Sequence, residues 1–466
     1  MSEQPTPYNQ IDFVVQAPRL RIVFSYMSDK GISFIREYLL RLLKLTSCKP
    51  AQIAQYFGFS QYETEVALAD LEQNKWITWR NDGLIALSAE GLNLFSGDSP
   101  QIPTLKEFGG EYRMELLDNN FLKKSDCDTA WQQAIKLEID AKVLSEQKEI
   151  AQKVFQSRFQ QLKEDEIIGL DEKDIVLYKV DTVETKGAPV YFRFTQQFEL
   201  LPETGEAKER HDVPNIIHQD NIQRAITAQI EQFQRGDNLR KLRDNMNELD
   251  DEDTLKVLFG GRLDFAEFLK NYQKYEQKNG LYFLGQIYHQ EPMFKQINQI
   301  LSKLDKKQSK KCYWLAPSDI YWGKQRKIHD KIQNLVDKSK DKLDFRMYLP
   351  LPAERNNREK QDWERQFKDI SEKNLYGFCE GFLDGNTEIL FLEDEFVAVC
   401  YHARLNGYPV TLPIGFFTTQ KDEVRRIAKL VTDYLNSALS PENDEDERGQ
   451  KDFGMLKKWV KHFQAA

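Results

Sequence analysis

Apolar residues recur at helical spacing between residues 32 and 95. Phe34, Ile35, Tyr38, Leu39, Leu42, Leu43 and Leu45 form the first such row, the period of a half-buried helix. Cys48-Lys49-Pro50 breaks it, and Pro50 suits the first turn of a second helix. Over residues 51–57 that helix carries Ile53, Ala54, Tyr56 and Phe57 as its apolar set. Gly58-Phe59-Ser60 makes a turn, and Ser60 can cap a third helix over 61–71. Tyr62, Val66, Leu68 and Leu71 are the candidates for its inner side. Residues 76–80 and 84–87 are β-prone, and Asn81-Asp82-Gly83 between them reads as a hairpin corner. Ser88 then caps a short helix through Phe95. Upstream, residues 11–27 read as extended, with Val14, Val15, Leu20, Ile22, Val23 and Phe24. Residues 96–100 form a turn-rich linker.

Beyond residue 100 the period changes several times. Residues 121–164 read as a long amphipathic helix, with Trp131, Ile135, Ile139, Val143, Ile150, Val154 and Phe155 among Lys, Glu and Gln. Such a helix is expected as a solvated arm or a dimerisation element. Two β-prone runs, 175–180 and 190–198, read as a hairpin-like pair. A mainly helical section covers 216–304. From residue 310 strands alternate with helices: strand 312–316, a helix to Val336, strand 345–349 ended by Pro350 and Pro352, and a charged helix over 359–372. Strands 388–392 and 396–401 and a helix over 421–439 follow. That alternation argues for an α/β domain. Residues 440–451 are polar and acidic. Phe453, Leu456, Val460 and Phe463 then fall at helical spacing. A helix packed on its own domain is the reading preferred there, and a tethered helix docking in a partner's groove is the alternative.

The expected fold class is α+β and multidomain. Five regions are expected: a 1–100 N-terminal unit, a 101–170 helical arm, a mixed 171–305 middle domain, a 306–440 α/β domain, and a 441–466 acidic linker with a C-terminal helix. Helix, short helix, turn, helix and hairpin in that order is the pattern of a winged helix. The stretch ETEVALADLEQNKWITWRNDGLIALSAEGLNLF resembles the recognition helix, wing and closing helix of MarR-like bacterial regulators. The resemblance implies contact with duplex DNA, with Arg36, Arg41, Lys44, Lys49, Gln61, Tyr62 and Arg80 as candidate contacts. Charge modifies this. Residues 61–71 carry Glu63, Glu65 and Asp70 and no Lys or Arg, so phosphates would be repelled from that helix. Either DNA is held through the first helix and the wing, or the module docks a protein.

A second resemblance lies near the C-terminus. NTEILFLEDEFVAVCYHA, residues 386–403, is similar to the second strand pair of phospholipase D-like domains, which TrmB-like regulators join to a winged helix. Where that family has its histidine, lysine and aspartate, this chain has Asn386, Glu388 and Glu393. An amide cannot serve as the nucleophile and a carboxylate would repel a phosphate, so the resemblance implies a catalytically dead, ligand-binding version.

Nuclease chemistry is the alternative. Asp174, Asp181 and Glu184-Thr185-Lys186 loosely match the carboxylates and lysine of a Mg²⁺-dependent nuclease, although 184–187 also looks like a solvated hairpin tip. His329-Asp330-Lys331 with Asp337 nearly spells a phosphodiesterase signature. Its spacing is one residue long and its segment helical, so His329 and Lys331 read better as packing and surface residues. His211 and His218 lack a third ligand, and Gly260-Gly261 lacks the Lys and Ser/Thr of a phosphate loop. No cofactor and no metal site is expected.

Composition sharpens this picture. The 466 residues exceed what one core supports. The net charge of −9 disfavours a protein that coats nucleic acid. Five scattered cysteines, Cys48, Cys127, Cys312, Cys379 and Cys400, suggest neither a disulfide framework nor a zinc knuckle. With no apolar run of spanning length, a cytoplasmic chain without membrane contact is expected. The function expected is that of a non-enzymatic, DNA-associated or partner-docking component of a bacterial regulatory or anti-phage assembly, with nucleic-acid cleavage as its alternative.

Overall fold

Pro18 divides the first 31 residues into two long strands, β1 (Thr6–Ala17) and β2 (Arg19–Gly31), because proline offers no N–H to a ladder. The computed structural model describes residues 5–31, 34–96, 99–172, 175–209, 219–233, 236–304, 309–338, 342–352, 357–439 and 450–458. After β2 come α1 (Phe34–Leu45), α2 (Pro50–Phe57), α3 (Gln61–Gln73), β3 (Ile77–Trp79), β4 (Ile85–Leu87) and α4 (Ala89–Asn93). The chain returns through β5 (Phe95–Ser96) and β6 (Ser99–Met114). β2 and β6 pair antiparallel from Arg19↔Arg113 to Gly31↔Gln101. The α1–α4 segment is therefore an insertion at the tip of a long hairpin.

Its elements form for the reasons their sequence supplies. Ser60 and Glu63 make a reciprocal capping box at α3, and Ser88 caps α4. Leu39, Leu40, Leu43, Ile53, Leu68, Leu71, Trp76 and Ile85 close a separate core. The expectation of an N-terminal winged-helix domain is nonetheless corrected. The chain begins in long strands of two curled sheets, and the helices with the short β3–β4 hairpin interrupt one of those sheets.

The next elements are β7 (Phe121–Leu122), β8 (Cys127–Asp128), β9 (Ile135–Lys136), α5 (Ala141–Ser157), α6 (Phe159–Glu164), β10 (Ile175–Thr185), β11 (Val190–Leu200) and β12 (Ala207–Glu209). β10 and β11 do not make the expected hairpin. β11 pairs with β1 and β10 with β2, so a two-stranded ribbon runs through both sheets. It bends between Ala17↔Val190 and Leu20↔Thr185, with Pro18 on one strand and Gly187 on the other, whose φ of +59° suits a residue without Cβ. The expected charged arm is also corrected. Residues 101–114 belong to β6, and α5 and α6 bury Ala151, Phe155, Phe159 and Leu162 against Phe24 and Tyr112 of the sheet.

Four helices follow: α7 (Asp220–Phe233), α8 (Leu239–Glu248), α9 (Glu252–Val257) and α10 (Phe265–Gln277). The remaining elements are β13 (Leu281–Leu284), α11 (Glu291–Lys303), β14 (Lys310–Leu315), α12 (Lys327–Lys338), β15 (Leu343–Leu351), α13 (Asn357–Gln366) and β16 (Leu375–Cys379). β17 (Thr387–Leu392), β18 (Phe396–Ala403), β19 (Leu412–Thr418), α14 (Lys421–Asn436) and β20 (Asp452–Met455) complete the chain. Eight strands order as β13-β19-β18-β17-β14-β15-β16-β20, with β14, β15 and β16 parallel and the other pairings antiparallel. Both faces of this sheet are buried, which is why β17, β18 and β19 read as nearly unbroken apolar runs. Phe453 lies in β20 on the sheet edge rather than in the expected terminal helix, with Leu456 packed just beyond it. Val460 and Phe463 lie outside the described residues. The fold is α+β with several sheets. No helix of the described residues is long and apolar enough to cross a membrane.

Candidate functional site

β14, β15 and β16 run parallel, with α12 and α13 as their crossovers. Ligands of such sheets collect beyond the carboxyl ends of the strands. A cleft of about 600 Å³ lies there. Ser318 and Asp319 follow β14, Pro350 and Pro352 close β15, and Glu380 follows β16. Ala134, Ile135 and Lys136 of the neighbouring sheet, with Phe233 of α7, form the opposite wall. Trp363 lines it, packed edge to face on the fully buried Trp322 at 6.0 Å between ring centres. The Lys324 amine donates to Gln366 Oε1 at 2.6 Å, and burial pushes it down to about 8. One wall is backbone under strain. Glu380, Gly381, Leu383, Asp384 and Gly385 all have φ between 47° and 89°, and non-glycine residues hold such angles at a cost that concentrates at functional sites. Ser318 pins this loop, its N–H donating to the Gly385 carbonyl and its hydroxyl to that of Glu380.

Beside the cleft a polar cluster is sealed in the sheet. Glu388 and Cys400 are Cα partners across β17 and β18. His402 lies two residues beyond Cys400, hence on the same face. His402 Nδ1 lies 2.7 Å from Asp319 Oδ2, and His402 Nε2 lies 3.2 Å from Glu388 Oε2. Both indole N–H groups of Trp314 and Trp322 donate to Glu388 Oε1, at 2.7 and 2.8 Å. The Thr411 hydroxyl donates to Asp319 at 2.8 Å. Burial opposes charge on the His402 ring. Its bonds to Asp319, Cys400 and Glu388 outweigh this and hold the imidazole well above its ordinary value. Burial also pushes the Cys400 thiol up to about 11. The sequence reading finds no metal site, yet the pairing of β17 with β18 gathers Glu388, Cys400 and His402, whose ligating atoms lie within 4.8 Å of one another.

The residues singled out by sequence fall elsewhere. Asp181 accepts from Ser25 and pairs with Lys179, while Glu184 and Lys186 pair with each other at an exposed bend. Asp174, His211 and His218 lie outside the described residues. His329 and Lys331 sit on α12, and Lys331 pairs with Glu291 at 2.7 Å over the ring of Phe294. Among the described residues these groups are not assembled into one site. On the insertion, Arg36 pairs with Asp70 at 2.5 Å, Arg41 with Glu37 at 2.6 Å, and Lys44 lies over Phe95. Gln61 donates to Glu65. Lys49, Tyr62 and Arg80 are exposed. Between α1 and α3 runs a groove of about 470 Å³, with Ile35, Tyr62 and Val66 among its lining residues.

Comparison with protein-family models, curated proteins and solved structures returns no match. Neither the MarR-like nor the phospholipase D-like kinship is upheld. The geometry agrees in the second case. Asn386 and Glu388 are buried and bonded to Asn238 and the two indoles, while Glu393 is exposed at the β17–β18 turn, so the three residues aligned with that family's signature do not share a surface. Sequence reasoning missed Asp319, Lys324, Trp322, Cys400 and His402. A signal existed for part of the cluster: Glu388 and His402 are charged or polar residues inside strands otherwise made for burial.

Proposed function

We propose that the protein is a non-enzymatic binding component, in which the cleft beyond β14, β15 and β16 holds a small organic ligand while the helical insertion meets a protein partner. The cleft carries the reading. It joins a size suited to a small molecule, apolar indole surface and a few convergent polar groups. Glu359, Asp362 and Glu380 outnumber Lys136 and Lys324 along its walls, which favours a cation attached to an aromatic ring. A regulatory or anti-phage assembly is a setting such a component suits.

Phe34, Leu45, Tyr56 and Tyr62 are each more than 70% exposed on the insertion. Apolar exposure of that kind, with Ile35, Tyr62 and Val66 along one groove, is characteristic of a docking face. A DNA-associated role has less in its favour, since Arg36 and Arg41 are engaged by carboxylates. Cleavage of nucleic acid has no assembled group behind it among the described residues.

Tryptophan fluorescence tests the cleft. Benzamidine, a cationic ring, should give a saturable change at least about tenfold tighter than neutral benzamide, since one charge contact is worth 1–3 kcal/mol. Trp363→Phe should reduce the signal and Asp362→Asn with Glu380→Gln should erase the preference. Equal or absent responses to both probes would remove this reading.

A further inference from the structure

We propose that Glu388, Cys400 and His402 form a binding site for one divalent transition-metal ion, zinc by the chemistry of its ligands. The three residues are fully buried, with relative exposures of 0%, 0% and 2%. Strand register places them on one face, and their ligating atoms lie within 4.8 Å of one another. The 3.2 Å between His402 Nε2 and Glu388 Oε2 is close to the edge of a tetrahedron with zinc–nitrogen and zinc–oxygen bonds of about 2.1 Å, roughly 3.4 Å.

The surroundings orient His402 and Glu388 as an ion would need, while the Cys400 thiol faces the Gly285 carbonyl at 3.9 Å. Asp319 accepts the Nδ1 proton of His402 at 2.7 Å, which turns Nε2 toward Glu388. A carboxylate behind a histidine is the usual support of a metal-bound imidazole. Thr411 holds Asp319 in turn. The two indole N–H groups occupy Oε1 of Glu388 and leave Oε2 for the ion. One nitrogen, one sulfur and one oxygen donor suit zinc and exclude the oxygen-only preference of calcium and magnesium. Entry of the ion displaces one proton from Nε2 and one from the thiol, so the net charge of the buried cluster does not change. Asp319 and Trp322 are shared with the cleft wall, but the metal test uses no organic ligand.

The full chain, stripped with a chelator and dialysed, should take up zinc in a single equivalent by plasma mass spectrometry. With Co²⁺ alone it should show a thiolate-to-cobalt charge-transfer band. Cys400→Ser and His402→Gln should abolish the band, Asp319→Asn should weaken uptake about 10- to 100-fold, and Cys127→Ser should change nothing. Among the described residues no other cysteine belongs to such a cluster, so the band on the unmodified chain is diagnostic even where a variant fails to fold. A folded chain that binds neither ion, or uptake that survives in folded Cys400→Ser and His402→Gln, would overturn the site and leave a buried imidazolium held by two carboxylates.

Discussion

At the scale of single residues, the buried acids show how much the fold invests in polar groups. Asp251 accepts from the Thr254 N–H at 3.0 Å and so caps α9. Burial raises its carboxyl from 3.8 to about 6. The folded chain therefore binds more protons than the unfolded one between those values, and the contribution of this group is present below about 4 and lost as pH rises through about 6. Asp251→Asn keeps an oxygen for the cap and removes the charge. Urea unfolding should find the variant equal to the parent near pH 4 and more stable by about 1–3 kcal/mol at pH 7. A parent stability flat across this range, with no gain in the variant, would show that water reaches the carboxylate. In the sequence Asp251 is one of five acids between residues 248 and 253; that this one is buried follows from the helix turns on either side, which a charge count does not contain. Glu388 and His402 are the opposite case. Their strands were read close to their observed bounds, and the β17–β18 hairpin pairs Glu388 with Cys400, but the partners that complete the cluster, Trp314, Trp322 and Asp319, come from β14 and the segment after it, a distant part of the chain.

Elements were legible where local rules suffice. α1, α2 and α3 announce themselves through period and caps, and β14, β15, β17 and β18 through apolar runs. β6 was hidden because Pro100 fell in the 96–100 linker, and because Pro103, Gly109 and Gly110 are residue types depleted in strands. β19 was hidden by Pro413 and Gly415, although a Cβ at Gly415 would lie 1.9 Å from the Val399 carbonyl oxygen, so the glycine is there to let two strands approach. The bend at Gly187 looked like a hairpin tip because a ribbon changing sheets needs the same turn residues. What secures that ribbon is Arg193 of β11. Its guanidinium pairs with Asp12 at 3.1 Å and Asp128 at 2.8 Å, and donates to the carbonyls of Ala130, Gln132 and Gln133. The Asp12 side chain is only 5% exposed. Arg193→Ala leaves that carboxylate with the Thr195 hydroxyl but no cation and takes a donor from three carbonyls, and guanidinium chloride unfolding should register a loss of about 3–5 kcal/mol. Arg193→Lys should recover only part, since an ammonium cannot reproduce the fork. A loss below about 1 kcal/mol for alanine would show that solvent replaces the guanidinium.

For the whole molecule, the hairpin that carries the insertion separates two surfaces. Gly31 and Gln101 face each other in the β2–β6 ladder, so the chain leaves and re-enters the sheet at adjacent points. The insertion has its own core, apart from the one that α5 and α6 make with β2, β6 and β10. Replacing residues 32–100 by Asn-Gly joins Gly31 to Gln101 through a two-residue turn of the kind such ladders favour. The shortened chain should keep its remaining secondary structure by circular dichroism and lose no more than about 1 kcal/mol, because closing a short loop in place of a long one lowers the entropic cost. It should also keep zinc uptake and the benzamidine response, since Glu388, Cys400, His402 and the cleft all lie on the mixed sheet and its neighbours. What it should lose is association through Phe34, Leu45, Tyr56 and Tyr62, because those side chains leave with the insertion. Collapse of the shortened chain into aggregates would mean instead that the insertion shields an apolar edge of the β2–β6 sheet, and its exposed face would then belong to the fold rather than to a partner.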